Sequence, residues 1–301
     1  MSHKSPCQGN LVLEILNITK RFHTLVAVDN LTLDVPQGEV LGVLGPNGAG
    51  KTTLFKLIAG FLKPDRGLIR SSAGAWPTIG YKPERLLYPN HLRVHEYLNM
   101  VAAISNLPRG RIKKAVSESL ERVDLTYAAD KRIKECSKGM RQRLGLAQAI
   151  IGDPQLFLLD EPSNGLDPEG QAEICRQIDN LHQEGKTIVL ASHQLQEVTQ
   201  VCTHLVIMNQ GSIHYENQMK AALAERPHTR ILVNRDLSTL QSLLMHLHHD
   251  IELSDREIVL NYDAIALRPN VLRILLSNGY DIIRIEQSRV TLAEIYAAAV
   301  Q

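Results

Sequence analysis

The fold is decided by the glycine-rich stretch Gly45-Pro46-Asn47-Gly48-Ala49-Gly50-Lys51-Thr52-Thr53. An apolar run over residues 40–44 precedes it and a second over 54–59 follows it, which predicts a strand, a loop and the first turns of a helix. Glycines permit positive φ and carry no Cβ atom that would hold backbone N–H groups away from an anion. The stretch therefore predicts a loop that wraps phosphate groups.

Two side chains at the end of this loop extend the prediction to a nucleoside triphosphate. Lys51 can reach the β- and γ-phosphates, and the Thr52 hydroxyl is placed to bind Mg²⁺. A chance match to this pattern in a chain of this length has odds of roughly one in a hundred. All nine residues of the loop are therefore candidate ligands for a nucleotide.

The composition limits the classes of protein that remain. With 301 residues, 44% hydrophobic and 22% charged, the chain has enough material for one large domain and a smaller one. Its net charge of +1 provides no basic surface for a polyanion, so we do not expect nucleic acid as a partner. The four cysteines are widely spaced, which favours reduced thiols in the cytosol.

A role at a membrane would have to be peripheral, because no run approaches the roughly 20 apolar residues that cross a bilayer. Period-two alternation over residues 11–19 and 26–35 predicts antiparallel strands, whereas spacing of three and four over residues 94–151 predicts a helical insertion. A short strand over residues 79–82 leads to the carboxylate of Glu84. The pattern indicates an α/β protein.

A pair of carboxylates follows the apolar run 156–159, which is typical of a strand buried on both faces. Asp160 and Glu161 should point to opposite sides of that strand. Asp160 can then hold Mg²⁺ through its hydration shell while Glu161 faces an attacking water. The alternative is a solvated strand end with no ligand. A further buried strand over 187–191 places His193 just beyond its end.

Two weaker signals have plain structural alternatives. Phe22 could stack on a purine base, or it could fill the core. Ser137 and Gly139 open a helix and could form a second anion site, but Ser137 could equally be an ordinary helix cap.

Taken in order, these motifs resemble the ATP-hydrolysing subunit of an ABC transporter over residues 11–216. The resemblance implies a P-loop α/β ABC ATPase fold with an antiparallel β-subdomain and a helical insertion. It also implies a role for each motif: Phe22 stacks on the base, residues 45–53 form the Walker A loop, Glu84 replaces the usual glutamine, Ser137, Lys138 and Gly139 lie in the signature loop, Asp160 and Glu161 form Walker B with the catalytic glutamate, residues 163–167 form the D-loop, and His193 is the switch histidine.

By the same resemblance, Lys51, Glu161 and His193 carry out ATP hydrolysis, and Thr52, Glu84 and Asp160 hold Mg²⁺. Two chains would pair head-to-tail around two ATP molecules, with Ser137 and Gly139 contacting the nucleotide of the partner. An integral membrane permease would be the second partner, which puts the chain at the cytoplasmic face of the cell membrane. Cys136, Lys138 and Met140 in the signature, with Glu84, resemble the branch that exports drugs, antibiotics, lipids and polysaccharides.

Two other functions stay open at this point. A soluble ABC-type ATPase of translation or DNA maintenance usually carries two cassettes or a long coiled coil, and this chain has one Walker A motif. A nucleotide-binding regulator without turnover would not need Glu161 as a general base.

The sequence predicts an ATP-binding domain over residues 1–216, with its helical part at about 90–152, and an accessory domain over 217–301. Strands at 230–233, 257–260 and 281–285, with helices at 237–248 and 266–277, predict a small α+β domain of β-α-β-β-α-β order. The histidine-rich segment 245–250 could bind metal, but its spacing fits no closed ligand set and favours a solvated helix end.

Overall fold

The computed structural model describes residues 10–85, 87–105, 107–223, 228–288 and 291–300. The described residues divide into two units, one that runs to Met219 and includes Ala299 and Val300, and one within Lys220–Ala298. The first unit thus extends to Met219, against an expected boundary at residue 216.

A six-stranded sheet forms the centre of the first unit. Every residue of the three strands in its middle is buried, as their continuous apolar runs predicted. The order is β5-β6-β7-β3-β8-β9, parallel except for the β8–β9 hairpin. The bounds are β3 Val40–Leu44, β5 Ile79–Lys82, β6 Leu156–Asp160, β7 Thr187–Ser192, β8 His204–Asn209 and β9 Ser212–Gln218.

A second sheet, of order β2-β1-β4, is antiparallel. Strands β1 (Leu11–Phe22) and β2 (Leu25–Pro36) confirm the predicted alternation. Strand β4 (Arg66–Ser71) was not predicted, because most of its side chains are exposed and its apolar pattern is weak. Gly67 allows the close pairing: its φ is +77°, and a Cβ there would lie 2.4 Å from the Leu16 carbonyl oxygen.

The predicted helical insertion is confirmed as α2 (Val94–Ile104), α3 (Arg109–Arg122) and α4 (Lys138–Ile150). Helix α1 (Lys51–Ile58) follows the glycine loop, and α5 (Pro168–Gln183) begins where Asp167 Oδ1 accepts the Gly170 N–H at 3.0 Å. Two shorter helices complete this part of the chain, α6 (Leu195–Val201) and α7 (Met219–Ala222).

The second unit has the predicted β-α-β-β-α-β order. Its four strands form an antiparallel sheet of order β11-β12-β10-β13 over an apolar core that includes Ile231, Leu244 and Leu275. The elements are β10 His228–Val233, α8 Gln241–Met245, β11 Ile251–Leu253, β12 Glu257–Asn261, α9 Arg268–Ser277, β13 Ile282–Ser288 and α10 Leu292–Val300.

Both helices predicted for this unit are shorter than expected. The helix expected over 237–248 is confined to α8, and the one expected over 266–277 begins at Arg268 after a 3₁₀ turn, Tyr262–Leu267. Pro269 in the first turn of α9 explains that start, since proline fits the first positions of a helix and not its interior.

The buried strand β6 should dominate the stability of the first unit. Leu158 is fully buried at its centre, so we expect Leu158→Ala to lower the free energy of unfolding by about 2–5 kcal/mol through lost burial and a cavity. Leu87, which is 98% exposed, is the matched control, and Leu87→Ala should change it by less than about 0.5 kcal/mol. Urea unfolding measures both, and equal losses would contradict the buried position of β6.

Candidate functional site

The glycine loop connects β3 to α1 at one end of the central sheet. Gly50 caps α1 with φ +102°, and a Cβ atom there would lie 2.3 Å from the Ala27 carbonyl oxygen. Gly48 has φ +86° with open space around it. Only glycine fits at position 50. The N-terminal amides of α1 lie next to the loop, as a phosphate site requires.

Thr52 and Asp160 supply oxygen atoms beside this loop. The Thr52 hydroxyl donates to Asp160 Oδ2 at 2.8 Å, while Asp160 Oδ1 is buried with no hydrogen-bond partner among the described residues. Adjacent ligands of an octahedral Mg²⁺ lie about 2.9 Å apart, so this pair fits the ion. Burial raises the pKa of Asp160, and the hydrogen bond from Thr52 opposes that rise.

Glu161 lies where three elements meet. Its Oε2 is 2.7 Å from His193 Nδ1, and its Oε1 is 4.0 Å from Lys51 Nζ. The Glu161 N–H donates to the Ala191 carbonyl of β7 at 2.9 Å, and its φ of +48° turns the side chain away from the strand direction. Because Asp160 is paired opposite Ala191 as well, β7 fixes both carboxylates beside the His193 loop.

Lys51 is nearly buried among carbonyl and carboxylate oxygens. Its ammonium donates to the Gly45 carbonyl at 2.6 Å and to the Pro46 carbonyl at 3.3 Å. Burial lowers the pKa of Lys51, and the negative charges of Glu161, Asp160 and Glu84 oppose this. A cation held among acceptors in this way can transfer its hydrogen bonds to phosphate oxygens at small displacement.

Two predicted site residues lie nearer the surface. Glu84 is exposed beyond the end of β5, within electrostatic range of both Lys51 and Asp160. Phe22 ends β1 with 41% of its surface exposed, and Lys20 Nζ lies 5.8 Å from its ring centroid. Phe22 is thus not core filler, and one face of its ring can take a base.

The signature residues open α4 in a different groove. Ser137 caps the helix by accepting the Met140 N–H at 3.2 Å, which confirms the capping alternative without excluding an anion. Together with the loop Gly165–Asp167 they line a groove of about 670 Å³. Lys51 and its loop are not among its lining residues, so the two candidate anion sites of one chain are separate.

Three residues that sequence reasoning missed, Lys82, Ser192 and Glu197, lie behind Glu161 together with Ser163 of the predicted D-loop, and all four are buried. The available signal was the pair of charges: Lys82 stands in a strand, and Glu197 follows His193 by one helical turn. Charged residues are rarely buried unless they are paired.

The histidine-rich segment comes together more closely than its spacing suggested. Ligand atoms of His248, His249 and Asp250 all lie within 4.8 Å of one another. His248 Nδ1 also accepts the Asp250 N–H at 3.2 Å. We assign no function to this group.

Comparison with known proteins now decides the family. The family model described as ABC transporter matches residues 28–164, which hold the glycine loop, the signature and both carboxylates. The uncharacterized ABC transporter ATP-binding protein YxlF of Bacillus subtilis (strain 168) is 30% identical over 295 residues, 96% of this chain and 99% of its own. The chain belongs to the ATP-binding subunits of ABC transporters.

Two further proteins are similar to this ATP-binding subunit. The bacitracin transport ATP-binding protein BcrA of Bacillus licheniformis is 31% identical over 297 residues, 95% of this chain and 96% of its own. The structure of cbiO1 from Clostridium perfringens, part of the ABC transporter complex cbiONQ, has a TM-score of 0.64 at 28% identity, covering 72% of this chain and 92% of that one. The predicted P-loop ABC ATPase fold is confirmed. None of the helices in the described residues is long and apolar enough to cross a membrane.

Gly50 gives the sharpest test of the nucleotide site. We expect Gly50→Ala to weaken ATP binding at least tenfold, because the new Cβ forces the loop away from Ala27 and out of its positive φ. Titration with a fluorescent ATP analogue measures the affinity. Gly110→Ala in α3, where a Cβ meets nothing within 4 Å, is the control and should leave affinity unchanged. Equal affinities in all three proteins would contradict the assignment of the loop.

Proposed function

We propose that this ATP-binding subunit hydrolyses ATP to drive export of a substrate through a separate membrane permease. The observation that carries the proposal is the convergence of Glu161, His193 and Lys51 beside the Thr52–Asp160 pair. A protein that only bound nucleotide would have no need of a carboxylate held by a histidine at this point. Export is supported by the likeness to the bacitracin transport protein over nearly the whole chain.

Hydrolysis follows from these positions. Lys51 and the loop amides hold the β- and γ-phosphates, and Thr52 and Asp160 hold Mg²⁺, which neutralises phosphate charge when bound. Glu161 accepts a hydrogen bond from the attacking water and orients it toward the γ-phosphorus. A His193 ring that donates from Nδ1 to Glu161 can donate to a phosphate oxygen from Nε2 only as the imidazolium.

Glu84 would be a third ligand near the ion, in place of the glutamine that is usual in the family. Its carboxylate adds negative charge close to Asp160 and Lys51, which favours a divalent cation at this point. Phe22 would stack on the adenine, with residues 45–53 around the phosphates.

A second copy of the chain would complete each site. The groove of Ser137, Lys138 and Gly139 is exposed and lies apart from the Walker A loop, so these residues cannot serve the nucleotide of their own chain without a large rearrangement. A head-to-tail pair with two-fold symmetry brings the groove of each chain over the loop of the other. Loss of the γ-phosphate then removes the bridge and lets the pair open.

The permease would bind beside the helical insertion, at the cytoplasmic face of the membrane. Tyr88 in this region is partly buried: its hydroxyl donates to the Arg141 carbonyl at 2.8 Å and its ring packs edge-on against Tyr97. Leu87 is the exposed apolar residue there. A leucine presented on a loop anchored by Tyr88 suits an apolar helix end of a partner.

The role of Glu161 in hydrolysis gives the first prediction about function. Glu161→Gln should lower ATPase activity at least a hundredfold while ATP binding is kept, because the amide cannot accept the proton of water. Phosphate release and a fluorescent nucleotide titration measure the two quantities. The control Glu121→Gln, on an exposed face of α3, should retain full activity. Activity in Glu161→Gln above one tenth of wild type would refute the role of Glu161.

Pairing is tested in the same assay with mixed dimers. One copy carries Lys51→Ala and the other carries Ser137→Ala. In a head-to-tail pair both lesions fall in one composite site, which leaves the second site intact and about half of the wild-type activity. If each chain instead formed its site alone, Ser137→Ala homodimers would stay active. The Lys51→Ala homodimer would then have no intact loop and the mixed dimer would have one, and this would be the only difference between them.

The Leu87 surface makes a prediction that separates transport from hydrolysis. Leu87→Asp should abolish transport in vesicles containing the permease, because a charge cannot enter an apolar docking site, while ATPase activity of the isolated subunit stays within about twofold. Leu276→Asp, at another exposed leucine, should affect neither. Transport that survives Leu87→Asp would exclude this surface as the docking site.

A further inference from the structure

A second group of charged and polar side chains lies buried behind Glu161 and has no part in the mechanism above. Lys82 at the end of β5 is fully buried, and Glu197 in α6 is only 4% exposed. Burying an opposite pair of charges costs free energy unless hydrogen bonds compensate each of them. The partners of these two residues therefore show what the pair does.

Glu197 fixes the turn that carries His193. The Ser192 hydroxyl donates to Glu197 Oε2 at 2.5 Å, and Ser192 Oγ in turn accepts the Gln194 N–H at 3.0 Å. His193 lies between the two residues that this hydroxyl ties together. A change at the Glu197 carboxylate is therefore transmitted to the backbone of His193 through one hydroxyl group.

Ser163 brings the D-loop to the same carboxylate. Ser163 Oγ and Glu197 Oε1 are both buried, and neither has a hydrogen bond of normal geometry among the described residues. Burial raises the pKa of Glu197, and the hydroxyls of Ser192 and Ser163 oppose that rise, so Ser163 lies close to the carboxylate. A buried donor thus stands beside a buried acceptor, and a small shift of the D-loop makes or breaks their bond.

Lys82 lies beside the backbone of Glu161 and within electrostatic range of Glu197. Its ammonium lies 3.5 Å from the Glu161 carbonyl oxygen, which also accepts the Asn164 N–H at 3.3 Å. Glu161 is held at φ +48°, a conformation that a non-glycine residue keeps only when its surroundings stabilise it. The positive charge of Lys82 compensates the Glu197 carboxylate and supports the Glu161 carbonyl at the same time.

We propose that Glu197 is a positioning residue that couples the D-loop, through Ser163 and Ser192, to the His193–Glu161 pair. The inference rests on the proposed ATPase function and adds to it a route by which pairing of two chains is sensed at the hydrolytic water. When the D-loop moves, the Ser163–Glu197 bond changes, the Ser192 hydroxyl follows the carboxylate, and His193 is drawn toward or away from Glu161.

The test is steady-state ATPase kinetics of Glu197→Gln, Ser163→Ala and the double variant in the full chain. Each single variant should lower kcat about tenfold and keep KM for ATP within about twofold, because the link from the D-loop through Glu197 to the His193 turn is removed while nucleotide contacts remain. The double variant should be no slower than the slower single variant, since both changes break one route.

Ser119→Ala is the matched control. Ser119 is a buried serine of α3 whose hydroxyl donates to the Val116 carbonyl at 2.9 Å, away from the site. Its kcat should equal that of wild type, and its effect should add to that of Glu197→Gln. Thermal melting of every variant checks the fold, and if Glu197→Gln melts early, Ser163→Ala with its unchanged KM decides the question.

The outcomes separate this inference from the proposed function. If wild type hydrolyses ATP, Glu161→Gln does not, and both Ser163→Ala and Glu197→Gln keep kcat within twofold, the ATPase assignment stands and the coupling role falls. Additive losses in the double variant, or losses of kcat that follow the melting temperature, overturn it as well. If wild type shows no ATPase activity, the proposed function and this inference fall together.

Discussion

Charge compensation at the end of β6 is the constraint on which the rest of the site depends. Two adjacent carboxylates, Asp160 and Glu161, are almost fully buried there, which is costly unless each has partners. Asp160 has the Thr52 hydroxyl, and Glu161 has the His193 ring and the Lys51 ammonium. These partners come from two other segments, the start of α1 and the loop after β7, so the sheet must hold both in register with β6.

The topology supplies that register. Because β3, β6 and β7 are parallel neighbours in the order β6-β7-β3, their carboxyl ends meet at one edge of the sheet. The glycine loop leaves β3 at this edge, and the His193 loop leaves β7 there. Leu44 pairs with Ser192, and Asp160 pairs with Ala191, which places the ends of all three strands at one level. A slip of one residue in either pairing would turn each carboxylate to the other face of the sheet.

Features with strong local signals could be predicted from the sequence. The glycine loop, the buried strands and the helical insertion each depend on residues close together in the chain, and the structure has them where expected. Strand β4 and helix α6 could not be predicted, since β4 is mostly exposed and α6 is only seven residues long. In the second unit the predicted order of elements was correct. The helix predicted before β11 was several residues longer than α8, because apolar positions continue past the end of α8.

The site itself divides in the same way. Lys51, Thr52, Asp160 and Glu161 lie in motifs whose spacing carries the chemistry. By contrast, the contact between Lys82 and the Glu161 carbonyl joins residues 79 positions apart, and it exists only because β5 pairs with β6. No short pattern encodes such a contact. The contacts of Tyr88 with Tyr97 and Arg141 likewise join segments far apart in the chain, although the helices that carry both partners were predicted.

The aromatic ring of Phe22, at the end of β1, has a consequence for the choice between ATP and GTP. Phe22 offers a flat apolar face and no polar atom, so under the proposed function it would stack on a purine without reading the edge of the base. Adenine and guanine present nearly equivalent faces to such a ring. A site that depends on stacking at Phe22 would therefore bind GTP about as readily as ATP. The relative concentrations of the two nucleotides around the protein would then determine which one is hydrolysed.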